Sequence, residues 1–411
     1  MTRITTNRMP PPHSQKSGQM GSWPRRSRCV GGLLAALGCS VPGLSRDTKT
    51  VERARVRAEA RGSLRATRTP IEISVSSMIA GAPSTRGLTS LWRAGSALAA
   101  APAIGPDGAL YVVARQGTLD VLEASGEHRF TITLGGAPTG GIFVDDRGWA
   151  YVGLATGKLL GIAPSGLKSF ALQLPGGISG NVAFAEGQGL LLLGHDNIVV
   201  GVNRGGVPTM RMSAAPRATA GPVGIFGWCV VATANGEVIW GDRWGKRHRA
   251  TVGAAPKVLE ATATGAIWVL ANEELTAFSS PRTLAFRHSG TVAIVTGPPR
   301  LATTGVEGVR LTAAGEFEWL GKSGARVASR KLTADVRPAS ELAMGLDDEG
   351  TVWFMEEGRV HALGPQGDGD RTLELGRDLL APVCDGPRRR TLVSTVEGEV
   401  FAISWAQRVA R

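Results

Sequence analysis

A ten-residue unit recurs about every 40 residues, and this periodicity limits the possible folds more than any other feature of the sequence. Copies read GTLDVLEASG from residue 117, GKLLGIAPSG from 157, GEVIWGDRWG from 236 and GRVHALGPQG from 358. Further copies begin at residues 196, 273 and 398, and a shortened copy, GVRLTAAG, begins at Gly308. A period of this length is typical of folds in which each repeat buries its apolar faces only against its neighbours.

Each unit follows a short apolar segment that reads as a β-strand, such as ALYVVA from residue 109 or AIWVLA from 266. Eight such segments can be counted, if RLATT from residue 300 is taken as the one before Gly308. Asp-Gly or Asp-x-Gly turns at Asp107, Asp146 and Asp348 predict tight hairpins ahead of three of these strands. A more polar strand, such as RFTITL from residue 129, follows most units. Four strands per period predict a propeller blade.

We therefore predict an all-β, eight-bladed β-propeller of four-stranded antiparallel blades over residues 88–411. The last copy has no room for its own fourth strand, and the segment around Trp92, residues 87–95, resembles a fourth strand detached from it. We expect this N-terminal strand to pair with the C-terminal blade and close the ring. The spacing is irregular after Gly308, where residues 321–332 predict a longer hairpin or loop, so seven blades are also compatible with the sequence.

The strings PDGALYVVARQGTLDVLEASG and DDRGWAYVGLATGKLLGIAPSG resemble the pyrroloquinoline-quinone-like (quinoprotein-like) β-propeller repeat family. The resemblance implies the fold, and members of that family serve as quinoprotein dehydrogenases and as envelope assembly scaffolds. Its enzymes carry calcium ligands, a stacking Trp and typically a pair of adjacent cysteines. Cys229 and Cys384 fall on the fourth and eighth repeats, too far apart for a disulfide. We expect both to be buried free thiols, and we expect no cofactor and no metal.

The N-terminus predicts export. In residues 20–38 a cluster of arginines precedes a short apolar run that ends at Gly38, directly before Cys39. This segment resembles the lipobox of bacterial lipoproteins, which implies that Cys39 is the site of lipid attachment. Ala36 stands where that family prefers Leu, so an ordinary cleaved signal is the alternative. By the same resemblance, Ser40 implies an outer-membrane protein facing the periplasm, and a soluble periplasmic or secreted protein is the alternative.

The remaining N-terminal residues divide into two segments. Residues 1–19 are polar and Pro-containing, and we interpret them as an extension ahead of a true start at Met20. Residues 39–87 are predicted to be a basic flexible tether, which could contact anionic headgroups or act only as a solvated spacer. Residues 1–74 hold 14 Lys and Arg against 4 Asp and Glu, whereas the rest of the chain holds 32 against 30. The predicted propeller is nearly neutral, which argues against a nucleic-acid partner.

The candidate chemical groups have simpler structural interpretations. The acidic runs at residues 145–146, 347–349 and 356–357 lack the spacing of a calcium loop, and we predict that they are turn residues. The histidines outside residues 1–19 are dispersed, which does not support metal ligation. Trp92, Trp240, Trp319 and Trp405 are predicted to pack between blades.

Two basic segments, residues 241–249 (GDRWGKRHR) and 386–390 (GPRRR), could bind an anionic glycan, a lipid headgroup or an acidic partner. The alternative, which we favour, is that they are solvated positions on outer hairpins.

These features predict a non-catalytic, lipid-anchored binding or scaffold propeller of the cell envelope. It would present loops and a central channel to an unidentified envelope protein or small ligand, and we expect a monomer. The alternative is a redox or lyase-type enzyme whose residues converge only in three dimensions.

Overall fold

The computed structural model describes residues 88–404, except 180–181, 186–188, 333–341, 357, 368–369 and 376–377. Strands in this part form eight four-stranded antiparallel sheets. The first strands of successive sheets contact one another, so the sheets are blades arranged around a ring with those strands innermost. The structure confirms the predicted all-β propeller with eight blades. The predicted extension, signal, tether and lipid-attachment residue Cys39 lie outside the described residues.

The strands of each blade are labelled A to D from the inside outward, in the following bounds. Blade 1 contains Ala103–Ile104, Leu110–Ala114, Thr118–Leu122 and His128–Thr133, and blade 2 contains Pro138–Val144, Ala150–Leu154, Lys158–Ile162 and Lys168–Gln173. Blade 3 contains Val182–Ala185, Gly189–Leu193, Ile198–Val202 and Pro208–Ser213, and blade 4 contains Ala218–Ile225, Trp228–Thr233, Glu237–Gly241 and Arg247–Thr251. Blade 5 contains Val258–Ala261, Ile267–Ala271, Glu274–Ser280 and Thr283–His288, and blade 6 contains Thr291–Thr296, Gly308–Thr312, Glu316–Leu320 and Arg326–Lys331. Blade 7 contains Met344–Leu346, Val352–Glu356, Arg359–Leu363 and Arg371–Glu374, and blade 8 contains Val383–Asp385, Arg390–Ser394, Glu399–Ser404 and, as strand D, Leu88–Arg93.

The core follows the seams between blades. Strands B and C are buried almost throughout, as in Leu110–Ala114, because a neighbouring blade covers both of their faces. Strand D alternates between exposed and half-buried positions, as in Lys168–Gln173, because only its inner face meets a neighbour. Eight clusters of buried apolar side chains occur in this part of the chain, and each one joins two adjacent blades. Every blade therefore depends on its neighbours for burial.

The ring closes through the two ends of the described chain. Strand Leu88–Arg93 pairs antiparallel with Glu399–Ser404, with Leu88 opposite Ile403 and Arg93 opposite Glu399. Trp92 is buried in the cluster that joins blade 8 to blade 1. The predicted closure by the segment around Trp92 is confirmed.

Blade 6 differs from the prediction by one strand. Residues 300–304 were predicted to be strand B, but they follow Pro298 and overlap a one-turn helix, α1, at Pro299–Ala302. Proline cannot donate a hydrogen bond to a sheet ladder and is favoured in the first turn of a helix. Strand B is instead Gly308–Thr312, and the ten-residue unit belongs to strand C, Glu316–Leu320. The third strands of blades 5, 6 and 7 then begin at Glu274, Glu316 and Arg359, which are nearly evenly spaced.

The longer hairpin or loop predicted at residues 321–332 is part of a C–D hairpin of ordinary length. Residues 321–325 form an ordinary turn, and Arg326–Lys331 is strand D of the same blade. With this shift, all eight blades have the same four-strand order, and the seven-blade alternative is excluded. Among the described residues, no helix is long and apolar enough to cross a bilayer.

Candidate binding surface

The hairpins of the blades divide the ring into two faces. Because the four strands of a blade alternate in direction, the A–B and C–D connections lie at one end of the blade, and the B–C turns lie at the other. We call the first the hairpin face and the second the opposite face, which also carries the connections from one blade to the next. Contacts between blades confirm that these hairpins share a face: Tyr111 Oη donates to the carbonyl of Gly148 at 3.1 Å.

On the hairpin face, the carboxylate of Asp145 joins blade 2 to blade 3. Its Oδ1 accepts the backbone N–H groups of Arg147 and Trp149 at 2.9 and 3.0 Å, which closes the A–B turn. Its Oδ2 accepts the hydroxyl of Tyr151 and lies 2.6 Å from Nε of Arg204, in the C–D turn of blade 3. Burial alone would raise the pKa of Asp145, but the hydrogen bonds from Arg204 and the backbone outweigh it, so the net shift is downward.

Asp347 repeats the turn in blade 7. Its Oδ1 accepts the N–H groups of Glu349 and Thr351, and its Oδ2 accepts Nε1–H of Trp353 at 2.9 Å. Here burial raises the pKa of the carboxyl despite these bonds. The predicted role of residues 145–146 and 347–349 as turn residues is confirmed. The side chain that holds each turn is the first Asp of the run, one residue before the predicted Asp146 and Asp348.

The basic segment at residues 386–390 is solvated only in part, since Arg388 and Arg389 are exposed, as predicted, and Arg390 is buried. It connects strands A and B of blade 8, and Arg390 is buried, with Nε 2.9 Å from Asp385 Oδ2 and Nη1 donating to the carbonyl of Ala124 in blade 1. Arg388 donates to the carbonyl of Asp107, also in blade 1. Arg389 pairs with Glu349 of blade 7. These arginines tie blade 8 to both neighbours, and sequence reasoning missed this because their partners are distant in the chain.

The second basic segment, residues 241–249, does reach solvent, as predicted. Its C–D turn in blade 4 is held by Asp242, whose Oδ1 accepts the N–H groups of Trp244 and Lys246. Trp244 is 76 % exposed, and the guanidinium carbon of Arg243 lies 4.3 Å from the centroid of its ring. Lys246 Nζ lies 5.9 Å from the ring of Trp228, on the A–B hairpin of the same blade. Aromatic rings and cations are therefore combined at this hairpin tip.

Next to it stands an exposed Phe226 in an unfavourable backbone conformation. Phe226 and Gly227 are the two central residues of the A–B hairpin, between the paired Ile225 and Trp228, with φ of 39° and 77°. Such a turn favours Asn or Gly at the first position, because a bulky side chain is strained at positive φ. The ring lies over Gly265 of blade 5, where an added Cβ would come within 2.0 Å of it, yet it remains 67 % exposed.

Two more apolar side chains project from the same face. Leu167 and Val207 follow the glycines of the C–D turns of blades 2 and 3 and are 69 % and 57 % exposed. In the same position of blades 1 and 4 the residues are Glu127 and Lys246. We call Leu167, Val207, Phe226 and Trp244, together with Arg243 and Lys246, the apolar–basic patch. The sequence signal for it was an apolar residue directly after a turn glycine, or directly before one, where polar residues are usual.

The inner strands carry few ionisable groups. Among their described residues, the acidic side chains are Glu260 in blade 5 and Asp385 in blade 8. Burial raises the pKa of Glu260, although its Oε2 accepts hydrogen bonds from the N–H and hydroxyl of Thr296 in blade 6. Within the described part of the chain, no group of three or more His, Cys, Asp and Glu side chains is arranged to hold a metal ion.

The other predicted residues lie apart from one another. Both cysteines are free thiols, as predicted; Cys229 is buried on strand B of blade 4, whereas Cys384, also predicted to be buried, is only half-buried on strand A of blade 8. Trp240 packs edge-on to Phe278 across the seam from blade 4 to blade 5, and Trp319 Nε1 donates to the carbonyl of Gly350 in blade 7. Their predicted packing between blades is confirmed, and Trp405 lies outside the described residues.

Comparison with known proteins supports the fold and no finer relationship. No protein-family model matches the chain, and no curated protein matches it. The structure is similar to that of BamB from Moraxella catarrhalis, with a TM-score of 0.57 and 14 % identity over 77 % of this chain and all of that one. It is also similar to virginiamycin B lyase from Staphylococcus aureus (TM-score 0.51, 10 % identity, 78 % and 99 % covered) and to the computationally designed Ika8 protein (0.60, 13 %, 77 % and 99 %). At these identities the likeness shows a β-propeller fold alone.

Proposed function

We propose that this protein is a non-catalytic binding or scaffold propeller of the bacterial cell envelope. Cys39 would carry a lipid that holds it at the outer membrane, and its loops and central channel would be presented to an envelope protein or small ligand. The observation that carries the proposal is that polar side chains of the hairpin face form structural contacts, whereas large apolar side chains of the same face are exposed. Asp145, Arg204 and Arg390 hold turns and seams together, while large apolar side chains such as Trp244 are left exposed. A rigid platform with exposed aromatic side chains suits binding.

The fold supports the same proposal at a coarser level. BamB is a propeller of similar structure, and the N-terminal segment resembles a lipoprotein signal. Neither likeness identifies a partner for this chain, so the proposal names only its class.

The anchor is tested by replacing Cys39 with Ser in cells and separating membranes from soluble envelope contents after a high-salt wash. The unaltered protein should stay with the membranes and Cys39→Ser should be released, because one thioether-linked lipid group is removed and the wash disrupts electrostatic adhesion. Continued association of Cys39→Ser after the wash would contradict lipid anchoring.

Partner binding is tested with a photo-reactive amino acid placed in the living envelope. Suitable positions are Trp244 on the hairpin face and Lys257 on the opposite face. Both residues are exposed, and they lie in blade 4 and just before blade 5. A discrete protein adduct at either position supports a scaffold, and no protein adduct at any of several loop positions would contradict it.

An enzyme of redox or lyase type is the alternative, and Glu260 is the described group that best suits it because burial raises its pKa. Native mass spectrometry of the exported protein separates the two. A bound small molecule that disappears in Glu260→Gln would favour the enzyme, and the mass of the processed polypeptide alone would favour the scaffold.

A further inference from the structure

The apolar–basic patch has the composition of a surface that inserts into lipid. Leu167, Val207, Phe226 and Trp244 project from separate hairpins in three successive blades, and each is more than half exposed. Side chains of this kind, when they protrude beside cations, bury themselves at the boundary between headgroups and acyl chains. Because these exposed side chains lie on separate hairpins of three blades, they suit a broad, deformable ligand surface better than one short bound peptide.

The charges of the surrounding hairpins complement an anionic surface. From blade 2 to blade 5, the described A–B and C–D hairpins carry the cations Arg147, Arg204, Arg243, Lys246 and Arg282. The acidic residues there are Asp145, Asp146 and Asp242. Asp145 and Asp146 pair with Arg204, and Asp242 accepts backbone N–H groups of its own turn. Five cations against three carboxylates give these described hairpins a net charge of +2, which attracts phosphate headgroups.

The path of the chain provides an independent argument. Strand D of blade 8 begins at Leu88, opposite Ile403, at the same end of the blade as the C–D turns of the other blades. The polypeptide that connects Cys39 to the propeller therefore joins it on the hairpin face. A lipid on Cys39 would therefore tether the propeller from the hairpin face, through the 48 residues that lie between Cys39 and Leu88.

The conformation of Phe226 points the same way. A phenylalanine at φ of 39° costs folding free energy that Asn at the same position would avoid. The ring fills no interior space and stays 67 % exposed. Strain that supports an exposed aromatic side chain is typical of a functional position.

We infer that the apolar–basic patch binds the surface of an anionic lipid bilayer, so that the propeller lies with its hairpin face against the membrane. The inference deepens the proposed function and rests on it for the anchor at Cys39. It leaves the opposite face, with its B–C turns, directed away from the membrane and available to the envelope partner. An acidic protein segment is the competing occupant, and the experiment below separates the two.

The test uses the mature chain, residues 39–411 with Cys39→Ser, which retains the whole ring and has no lipid of its own. Its binding to sedimented vesicles is measured with phosphatidylglycerol mixed into phosphatidylcholine, and with phosphatidylcholine alone. We expect binding to the anionic vesicles that weakens with salt. The double variant Phe226→Asn/Trp244→Ala should lower the partition coefficient at least about tenfold, the effect of losing one well-buried aromatic side chain. Asn suits the turn at Phe226, so this variant should keep the fold.

The role of the patch cations is tested with two double variants that remove the same charge, one on the patch and one as the control. Arg243→Gln/Lys246→Gln, on the patch, should lower the partition coefficient about fivefold per charge at low salt. Arg217→Gln/Lys257→Gln removes the same charge from exposed positions on the opposite face, near the same blades, and should change it little. All variants retain the basic tether, so its contribution cancels in the comparison. Circular dichroism and the melting temperature confirm that each variant is folded.

Three outcomes would overturn the inference. The first is equal vesicle binding by the patch variants and the parent chain, and the second is an equal loss of partition coefficient in the two charge-pair variants. The third is no binding to anionic vesicles together with a protein adduct at Trp244 in cells. None of these outcomes contradicts the scaffold proposal. That proposal is contradicted by different results, namely Cys39→Ser that stays with washed membranes or the absence of any captured envelope protein.

Discussion

Nε of Arg204 in blade 3 lies 2.6 Å from Oδ2 of Asp145 in blade 2, and the carboxylate that it meets is almost completely buried. The same carboxylate holds its own turn through two backbone N–H groups. One side chain therefore shapes a hairpin and fastens the seam beside it, so a change at either partner affects both blades.

We expect Arg204→Met to lower the free energy of unfolding by about 2 kcal/mol, since it leaves a buried carboxylate without its charged partner. The pKa of Asp145 is below its ordinary value in the folded protein, so its contribution is complete above the unfolded pKa and is lost as pH falls through the folded pKa. In Arg204→Met the pKa should rise and the acid loss of stability should move to higher pH. Urea unfolding between pH 2 and pH 7 measures both effects. If the fall in the free energy of unfolding at acid pH were the same in Arg204→Met as in the parent, the role assigned to the Asp145–Arg204 pair would be contradicted. Lys257→Met, at an exposed position, is the control.

Blade 6 contains a buried ion pair at a position where blades 2, 3, 4 and 8 have apolar pairs. Arg310 Nη2 lies 2.6 Å from Glu318 Oε2, and Arg310 Nη1 donates to the carbonyl of Ser289. The corresponding cross-strand pair in blade 3 is Leu192 and Val200. Glu318→Val alone should cost about 3–5 kcal/mol because it leaves a buried cation unpaired. The double variant Arg310→Leu/Glu318→Val should recover most of that loss.

A double-mutant cycle in urea or by thermal melting measures this coupling. Additive losses from the two single changes would show that the pair does not act as a unit.

The closing strand should be essential for a monomer. Deletion of residues 1–93 would leave the strand Glu399–Ser404 with an unpaired edge and expose the cluster around Leu98 and Leu392. We expect this truncated chain to associate or unfold, as seen by size-exclusion chromatography with light scattering. Deletion of residues 1–87 keeps the strand and is the matched control. A stable monomer in both cases would contradict the role assigned to Leu88–Arg93.

The two propeller thiols should react slowly with alkylating reagents. Burial raises the pKa of Cys229, and burial also raises the pKa of Cys384 to about 12, so the reactive thiolate is scarce at pH 8. In a Cys29→Ser/Cys39→Ser chain, alkylation of half-buried Cys384 should accelerate about tenfold per pH unit up to its pKa. Cys229 should stay unmodified until the protein unfolds. Mass spectrometry of timed samples checks both rates, and fast labelling of Cys384 at pH 7 would contradict its assigned environment.

Much of the fold could be predicted from the sequence because a propeller repeats one local rule. Apolar strands B and C, with a turn glycine between them, recur in blades such as the one containing Leu110–Ala114, and closure followed from a missing fourth strand at one end. Blade 6 was misread because Arg310 and Glu318 interrupt its apolar pattern, while the residues after Pro299 imitate a strand. The charge of Arg310 is compensated by Glu318 on the neighbouring strand, and Glu318 also pairs with Arg326 on strand D, which no local pattern reveals.

The surface was harder to predict. The exposed Trp244 lay within a basic segment that the sequence already indicated, but Leu167, Val207 and Phe226 look like core residues when read singly. Their exposure depends on which end of a blade a turn occupies and on the neighbouring blade, such as Gly265 beneath Phe226. The contacts of Arg388 and Arg390 with blade 1 were missed for the same reason, since their partners Asp107 and Ala124 lie at the other end of the chain.

The pairing of Leu88–Arg93 with Glu399–Ser404 also orders events in time. During synthesis or passage through an export channel, the strand that emerges first has no partner until the last strand has followed it. Blade 8 must then be the final one to assemble, and the intermediate is an open arc whose two terminal blades each leave an apolar face uncovered. If synthesis or export stops before Glu399–Ser404 is available, the ring cannot close. Closure of the ring therefore depends on that last strand having been synthesised and exported.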